Sequence, residues 1–262
     1  MAQSTFSMTQ HGRSEPFELQ VSSGQVPYHS AQNIFGYGTT PATAGLFRTV
    51  WENMATADYV FPSSATTMTL TGGAGDTATI TIVGLDANYN ILTENLVLNG
   101  ATGVSTVNAY FRINSMFVAT GSATNPANTV TLTNGGVTYA QINTATINGV
   151  AGSVGISQMA VYTVPTGYTY QAWRFGAYSS FNGNTSNYTT YRAVSNLSSG
   201  VQRIVVQTPF NTSYEVQRHF PYAYVAGTDL RFQIASSAAT AAVVSVNIGG
   251  VLVANEVTAA GY

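Results

Sequence analysis

The chain has 262 residues, a formal net charge of −2 and no cysteine. Charged residues make up 7% of the sequence, far below the roughly 25% of a typical soluble domain. All eight cationic side chains are arginines, and lysine is absent. These values exclude electrostatic nucleic-acid binding, which needs a basic face, and they exclude disulfides, thiolate catalysis and cysteine-type zinc sites.

Neither disorder nor a membrane span explains the low charge. The chain carries 16 Tyr, 12 Phe and 2 Trp, whereas disordered chains are poor in aromatic residues. The most apolar stretch, residues 241–254, is shorter than the roughly 20 residues of a membrane helix and is interrupted by Ser245 and Asn247. The N-terminus lacks the hydrophobic core of a signal peptide. We therefore expect assembly in a cytoplasm, with no membrane partner.

Residues 1–50 are predicted to form an extended N-terminal arm. Within it, PFELQVSSGQV alternates apolar and polar residues, which indicates one short strand, and HSAQNIFGYG adds exposed aromatic rings. Two interpretations stay open: a flexible terminus, or an arm that docks on a neighbouring subunit. The docking interpretation gives as candidate contact residues Phe17, Leu19, Val21, Phe35 and Tyr37.

After this arm the pattern becomes β-rich. Residues 44–54 are the best helical candidate, although a strand fits them equally well. From about residue 60, alternating Thr- and Val-rich segments predict short strands, and Asn134-Gly135-Gly136 is a strong hairpin signal because these residues accept positive φ. This region, residues 51–152, is predicted to be a first β-sandwich domain.

A glycine-rich stretch at 148–155 precedes a second β-rich region, 153–262. Pro165-Thr166-Gly167 suits a tight turn between two apolar runs. About seven strands follow over about 100 residues, the number expected of a β-sandwich or jelly roll. The predicted fold is mainly β, with two antiparallel β-sandwich or jelly-roll-like domains and an extended N-terminal arm.

GLDANYN, residues 84–90, places Asp86, Asn88 and Asn90 at the alternating spacing of a calcium loop. An EF-hand also needs glycine at the sixth position and an acidic residue at the twelfth, where this chain has Ile91 and Val97. Strand-like segments flank the stretch, and Asp and Asn commonly stabilise turns. A hairpin tip is the favoured interpretation, with a calcium site of another type as the alternative.

The sequence offers no recognisable catalytic set. The three histidines form no His-x-x-x-His pair, the ten acidic residues show no paired signature, and no Gly-x-Ser-x-Gly motif occurs. The glycine-rich stretch 72–76 lacks the Lys-Ser/Thr of a phosphate-binding loop. We therefore expect neither enzymatic activity nor a metal or other cofactor. A β-fold hydrolase with a distant acid pair is the least favoured hypothesis.

Aromatic residues flank the loop NGNTSN (182–187). Trp173, Tyr178 and Tyr188 are candidate glycan contacts, because aromatic rings beside Asn and Ser can stack on sugars. The same residues could instead fill a sandwich core or a subunit interface, where Tyr and Trp are enriched.

The scarcity of charge favours assembly. Exposed strand edges are normally protected by lysine, proline or bulges, and this chain has no lysine. Near-zero net charge also gives little repulsion between copies. A permanent homo-oligomer or a lattice component follows as the hypothesis.

Three stretches carry a resemblance to a known class of protein: residues 16–38, residues 77–100 (TATITIVGLDANYNILTENLVLNG) and residues 160–175 (AVYTVPTGYTYQAWRF). The chain resembles structural proteins of tailed-bacteriophage virions, especially those of marine and cyanobacterial phages. The resemblance implies a non-catalytic virion component placed at head decoration, neck, tail attachment or fibre. Its partners would be further copies of itself and capsid, portal, neck or tail proteins. A glycan-binding module at the receptor-facing end of a fibre is the alternative.

Overall fold

A computed structural model describes residues 15–147, 150–181 and 187–255. The described residues form one short helix and eighteen strands, all paired antiparallel. The mainly β fold predicted from sequence is confirmed. None of the helices in these ranges is long and apolar enough to cross a membrane.

Two of the sheets are built from strands at the two ends of the described chain. Their strands are β1 (His29–Thr39), β2 (Arg48–Thr49), β12 (Val161–Thr163), β13 (Tyr168–Ser179), β14 (Thr189–Asn196), β15 (Gln202–Phe210), β16 (Ser213–Val225), β17 (Asp229–Ser236) and β18 (Val243–Ala254). The first sheet has the order β1-β18-β13-β16 and the second has the order β12-β17-β14-β15, with β2 also paired to β17.

This order is that of a jelly roll. When β1 and β12 to β18 are counted as strands one to eight, the sheets read 1-8-3-6 and 2-7-4-5, which is the arrangement of two Greek keys closed into a double sheet. Large aromatic side chains fill the space between the sheets. Tyr170 of β13 contacts Tyr162 of β12, with 5.5 Å between ring centroids, and Tyr191 of β14 lies 5.8 Å from Tyr214 of β16.

The remaining strands are inserted between β2 and β12. They are β3 (Thr69–Thr71), β4 (Thr79–Leu85), β5 (Ile91–Val97), β6 (Val104–Ser105), β7 (Arg112–Val118), β8 (Val130–Asn134), β9 (Val137–Ile142), β10 (Thr144–Ile147) and β11 (Val150–Ser153). They form a sheet of order β6-β3-β8-β9, a sheet of order β5-β4-β7 and the hairpin β10-β11. The Asn134-Gly135-Gly136 turn joins β8 to β9 as predicted, with positive φ at both glycines.

The N-terminal segment differs from its prediction in two ways. Phe17–Ser22 form a helix, α1, and not a strand, because Phe17 and Val21 also have the four-residue spacing of one helix face and Gly24, at φ +72°, follows the helix end. Strand β1 does not extend away from the body, because all eleven of its residues pair with β18. Of residues 44–54, only Arg48 and Thr49 are extended, in β2.

The division into two β-rich domains near residue 152 stays a prediction. The buried hydrophobic residues of the insertion and of the jelly roll belong to one continuous cluster, which includes Ile80 and Met116 on one side and Tyr170 and Phe232 on the other. The two parts therefore share a core, and specific contacts join them.

The GLDANYN stretch is one of these contacts. Asp86 Oδ1 accepts hydrogen bonds from the backbone N–H groups of Asn88 (2.7 Å) and Asn90 (2.9 Å), which fold the hairpin tip between β4 and β5. The tip then binds the turn before β13. The Thr166 backbone N–H donates to Tyr89 O at 2.8 Å, and the Thr166 hydroxyl donates to Asn88 O at 2.6 Å.

A buried ion pair forms the central contact between the insertion and the jelly roll. Arg112 of β7 binds Asp229 of β17 through two parallel hydrogen bonds of 2.8 Å, one to each carboxylate oxygen. The guanidinium also donates to Pro62 O and lies 3.8 Å from the centroid of the Phe111 ring. Thr163 of β12 donates to Asp229 Oδ1 at 2.6 Å. Both charges are therefore paired and hydrogen-bonded, as buried charges must be.

We predict that Arg112→Ala lowers the free energy of unfolding by about 3–5 kcal/mol, because it leaves the buried Asp229 carboxylate without its partner. Arg174→Ala is the matched control, since it removes the exposed pair with Glu215 and should cost about 1 kcal/mol or less. Urea denaturation of the two variants measures the difference. Equal losses would show that the buried pair does not hold the insertion.

Glu52 is a buried carboxyl in the turn after β2. Its Oε1 accepts a hydrogen bond from the Gln158 backbone N–H, whereas Oε2 is buried with no hydrogen-bond partner among the described residues. Desolvation raises the pKa of Glu52 from 4.5 to about 8, and the hydrogen bond from Gln158 opposes the shift only in part. The folded state therefore holds a proton that the unfolded state releases at neutral pH.

This shift predicts how stability depends on pH. Between the unfolded pKa of 4.5 and the folded pKa of about 8, Glu52 should lower the free energy of unfolding by about 1.4 kcal/mol per pH unit as pH rises. Glu52→Gln mimics the protonated carboxyl and should remove this slope, whereas Glu18→Gln on exposed α1 should preserve it. Urea denaturation at pH 5 to 8 tests this, and identical slopes for wild type and Glu52→Gln would refute it.

Candidate functional site

The outer face of the first jelly-roll sheet carries the candidate site. Phe35 and Tyr37 of β1 and Tyr178 of β13 point away from the core and are exposed to 44%, 42% and 47%. Tyr37 and Tyr178 both pair with Ser245 of β18, one from each side, so a small residue separates the two rings. We call these three residues the aromatic platform.

A double irregularity shapes the other end of the same face. The pairing of β13 with β18 skips Trp173, because Ala172 pairs with Gly250 and Arg174 pairs with Gly249. On the other side of β13, the four residues 218–221 of β16 lie opposite the single residue Trp173. Bulges re-aim side chains, and here both Trp173 and the following Arg174 lie outside the core.

Glycine makes this bulge possible. A Cβ atom on Gly250 would lie 2.4 Å from Gln171 O and 2.6 Å from the Tyr170 ring, closer than real Cβ contacts. Only glycine fits β18 against the bulged part of β13. On the opposite side, Pro221 cannot donate a ladder hydrogen bond, which favours the excursion of residues 218–221 and exposes Phe220 to 86%.

Helix α1 covers the bulged region and leaves a cavity of about 570 Å³ beneath it. The Phe17 ring meets the His29 ring edge-on, with 5.9 Å between centroids. We call this cavity the bulge pocket. It is lined by Phe17, Glu18, His29, Gln171, Trp173, Gln217, Arg218, His219, Pro221, Val251 and Val253.

The predicted docking residues are split between these surfaces. Phe17 lines the bulge pocket, Leu19 is half-exposed on α1, and Phe35 and Tyr37 belong to the aromatic platform. Val21 differs from its prediction, because only 3% of its surface is exposed. Its apolar side chain packs within its own chain, so it cannot contact a neighbouring subunit in this conformation.

The predicted glycan residues do not form one surface. Trp173 lies in the bulge pocket and Tyr178 lies on the aromatic platform. Tyr188 is exposed just before β14, and its backbone N–H donates to the Ser237 hydroxyl. Residues 182–186 of the NGNTSN loop lie outside the described residues.

Sequence reasoning missed His29, Arg218 and His219 as neighbours of Trp173. His29, Trp173 and the pair Arg218-His219 are far apart in sequence, and only the pairing of β1, β13, β16 and β18 brings them together. Gly249-Gly250 opposite Trp173 was the available signal for a bulge, but it could not be used without knowing the strand register.

Metal-binding geometry does not occur in the described parts of the chain, where no three His, Asp or Glu side chains are placed to hold an ion. The glycine-rich stretch 72–76 is a structural turn. Asp76 accepts hydrogen bonds from the backbone N–H groups of Gly73 (2.8 Å) and Ala127 (2.7 Å). Burial raises the pKa of Asp76, but these and further hydrogen bonds outweigh it and lower the pKa overall.

Comparison with known proteins adds little to this description. No family model matches the chain, and no curated protein matches it. Similar solved structures include T=1 particles derived from infectious bursal virus (11% identity, 87% of this chain and 70% of the other, TM-score 0.24). They also include infectious bursal disease virus strains Gt (11% identity, 92% and 78%, TM-score 0.21) and Gx (12% identity, 86% and 71%, TM-score 0.24). Such low TM-scores do not establish a shared fold or function, so the jelly-roll assignment rests on the sheet topology.

We predict that Gly250→Ala destabilises the protein by about 1–3 kcal/mol, because the added methyl group overpacks the bulge against Gln171 and Tyr170. Gly176→Ala in the neighbouring strand of the same sheet is the control, since its new Cβ would meet no atom closer than 3.6 Å. Urea denaturation compares the two. If Gly250→Ala is no less stable than Gly176→Ala, the bulge does not require glycine.

Proposed function

We propose that the chain is a non-enzymatic structural protein of a bacteriophage virion that assembles as a homo-oligomer. The observation that carries the proposal is the aromatic platform, an exposed row of rings on the open face of a sheet in a chain with 7% charged residues. Protein interfaces are enriched in such rings and depleted of charge at their centres.

A second copy of the same chain is the partner that the platform fits best. Beside the platform, the described residues offer little excess charge for a charged partner, because Arg174 is paired with Glu215. Rings alternate with small residues: Ser245 lies between Tyr37 and Tyr178, and Gly176 lies in the neighbouring row. In a two-fold dimer the rings of one copy could lie over the small residues of the other, which gives a self-complementary contact.

Open strand edges support assembly as well. Among the described strands, β15 and β16 lie at the ends of their sheet orders and pair on one side only. They are nine and thirteen residues long and carry no lysine, so only Pro209 on β15 and Pro221 with the 218–221 bulge on β16 interrupt them. Long edges with little charge tend to pair with other chains unless assembly covers them.

The virion setting rests on the resemblance of residues 16–38, 77–100 and 160–175 to tailed-phage structural proteins. Jelly rolls are common in viral capsid domains and also in lectins, so the fold is compatible with this setting without requiring it. Head decoration, neck, tail attachment and fibre are the candidate positions. Assembly would occur in the host cytoplasm, with capsid, portal, neck or tail proteins as further partners.

Substitution tests this proposal better than truncation. Deleting the whole N-terminal segment would remove β1 and expose its eleven-residue partner edge on β18. We expect the double variant Tyr37→Ser, Tyr178→Ser to remain folded, because both side chains lie outside the core, and to dissociate into smaller species. Sedimentation velocity measures the mass, and circular dichroism checks the fold.

Tyr188→Ser is the matched control, since Tyr188 is equally exposed but lies off the platform. It should assemble like the wild type. A wild type that stays monomeric at high concentration would contradict the homo-oligomer, and a folded double variant with unchanged mass would contradict the role of the platform.

Recognition of a host glycan is the second candidate function. The observation that favours it is Trp173 beside polar side chains in the bulge pocket. This surface is separate from the platform, so the two functions do not exclude each other.

A further inference from the structure

The bulge pocket has the dimensions of a ligand site. Its volume of about 570 Å³ lies within the range of roughly 300–1,000 Å³ that small-molecule pockets occupy. Such sites combine apolar walls with a few convergent polar groups. Here Phe17, Pro221 and Val251 supply apolar wall, and Trp173 supplies the largest flat surface.

The pairing of β13 with both neighbouring strands is irregular at Trp173, which lines the pocket. If β13 paired regularly with β18, Trp173 would have its own partner residue between those of Ala172 and Arg174. If β13 paired regularly with β16, residues 218–221 would not leave the ladder of backbone hydrogen bonds. Both bulges instead converge on Trp173 and bring Arg218 and His219 to its side of the sheet. Bulges of this kind are over-represented beside functional sites.

The polar lining mixes hydrogen-bond donors and acceptors. His29 Nδ1 lies 2.8 Å from Pro27 O, so Nδ1 is the donor and Nε2 can accept a hydrogen bond in the neutral ring. The Glu18 carboxylate is another acceptor, and Gln171 and Gln217 offer both roles. Hydroxyl groups, which donate and accept together, match this set better than a purely anionic or purely apolar ligand does.

Arg218 adds the one fixed positive charge. Its guanidinium has no carboxylate partner among the described residues and rests 4.2 Å from the centroid of the Tyr222 ring, whose hydroxyl donates to Val205 O in the other sheet. The side chain therefore turns away from this ring when it binds a ligand in the pocket, which it also lines. A guanidinium can bind a carboxylate through two parallel hydrogen bonds. The pocket therefore offers a stacking surface, hydroxyl partners and one carboxylate partner.

We propose that the bulge pocket binds a saccharide whose ring carries a carboxylate, such as a uronic acid. The sugar face stacks on Trp173, its hydroxyls bond Glu18, His29 and the glutamines, and its carboxylate binds Arg218. This inference gives the second candidate function a site and a ligand class. It does not depend on assembly, because the aromatic platform occupies other rows of the sheet.

Tryptophan fluorescence provides the test. The chain has two tryptophans, and Trp51 is buried in the core at 1% exposure, so a change in acrylamide quenching reports mainly on Trp173. The probe is trigalacturonate, compared with its fully methyl-esterified form, which keeps the hydroxyls and removes the charge. We expect trigalacturonate to protect Trp173 with a Kd of about 1 mM or tighter, and the ester to bind at least about tenfold more weakly.

Two variants locate the binding. Arg218→Gln should weaken trigalacturonate binding by about tenfold or more without changing the affinity for the ester. Arg203→Gln, which removes an exposed arginine from β15 in the other sheet, is the matched control and should bind like the wild type. Trp173→Ala should abolish stacking, and ligand-observed NMR then replaces fluorescence as the measurement.

Three results would overturn the proposal: no binding by the folded wild type, equal affinity for acid and ester, or unchanged binding by Arg218→Gln. A Trp173→Ala variant that fails to fold leaves the Arg218 comparison decisive. Failure of this experiment leaves the assembly proposal standing, because that proposal is measured by mass and by platform variants.

Discussion

The bidentate ion pair between Arg112 and Asp229 is the constraint on which the arrangement of the two β-rich parts depends. Arg112 of the inserted sheet finds its carboxylate partner on a strand of the jelly roll, and Asp229 of the jelly roll finds its arginine partner on the insertion. A shift between the parts that kept both groups buried but apart would leave two unpaired buried charges, which is costly, so the pair fixes how the parts fit together. The GLDANYN tip reinforces the same joint through Thr166, so the insertion is held at more than one point.

This joint determines which surfaces remain for function. The insertion packs beside β1 and β12, where a cavity of about 340 Å³ is lined by Asn114, Phe117 and Phe35 among others. Phe35 on the outer face of the first sheet thus borders the insertion, whereas Tyr37 and Tyr178 stay exposed. At one end of that face lies the aromatic platform, and at the other end two bulges and α1 border the bulge pocket. One sheet thus presents an apolar surface for assembly and an open pocket with apolar walls and a few polar side chains for a small ligand.

Local chemistry made much of the fold predictable. The turns at Asn134-Gly135-Gly136 and Pro165-Thr166-Gly167 and the GLDANYN hairpin all depend on residues within a few positions, and all three connect strands as expected. Alternating Thr and Val likewise identified the strands. The α1 helix was missed because the spacing of Phe17 and Val21 suits both a helix and a strand, and tertiary packing of Val21 decides between them.

The site was less predictable because it depends on strand register. Phe35, Tyr37 and Tyr178 were each singled out from sequence, but for different reasons, and only the shared partner strand β18 places them on one face. Val21 was assigned to an interface because the sequence of this short segment does not show whether an apolar side chain packs within its own chain or on a neighbour. His29, Arg218 and His219 join Trp173 through pairings that span most of the chain, which no short motif encodes.

Electron microscopy of the virion that carries this protein tests the central claim most directly. The account predicts repeated copies of the chain in which the aromatic platform is buried against a second copy while the insertion stays fixed to the jelly roll at Arg112 and Asp229. Particles that lack the chain, or copies whose platform faces open solvent with no subunit contact, would contradict it.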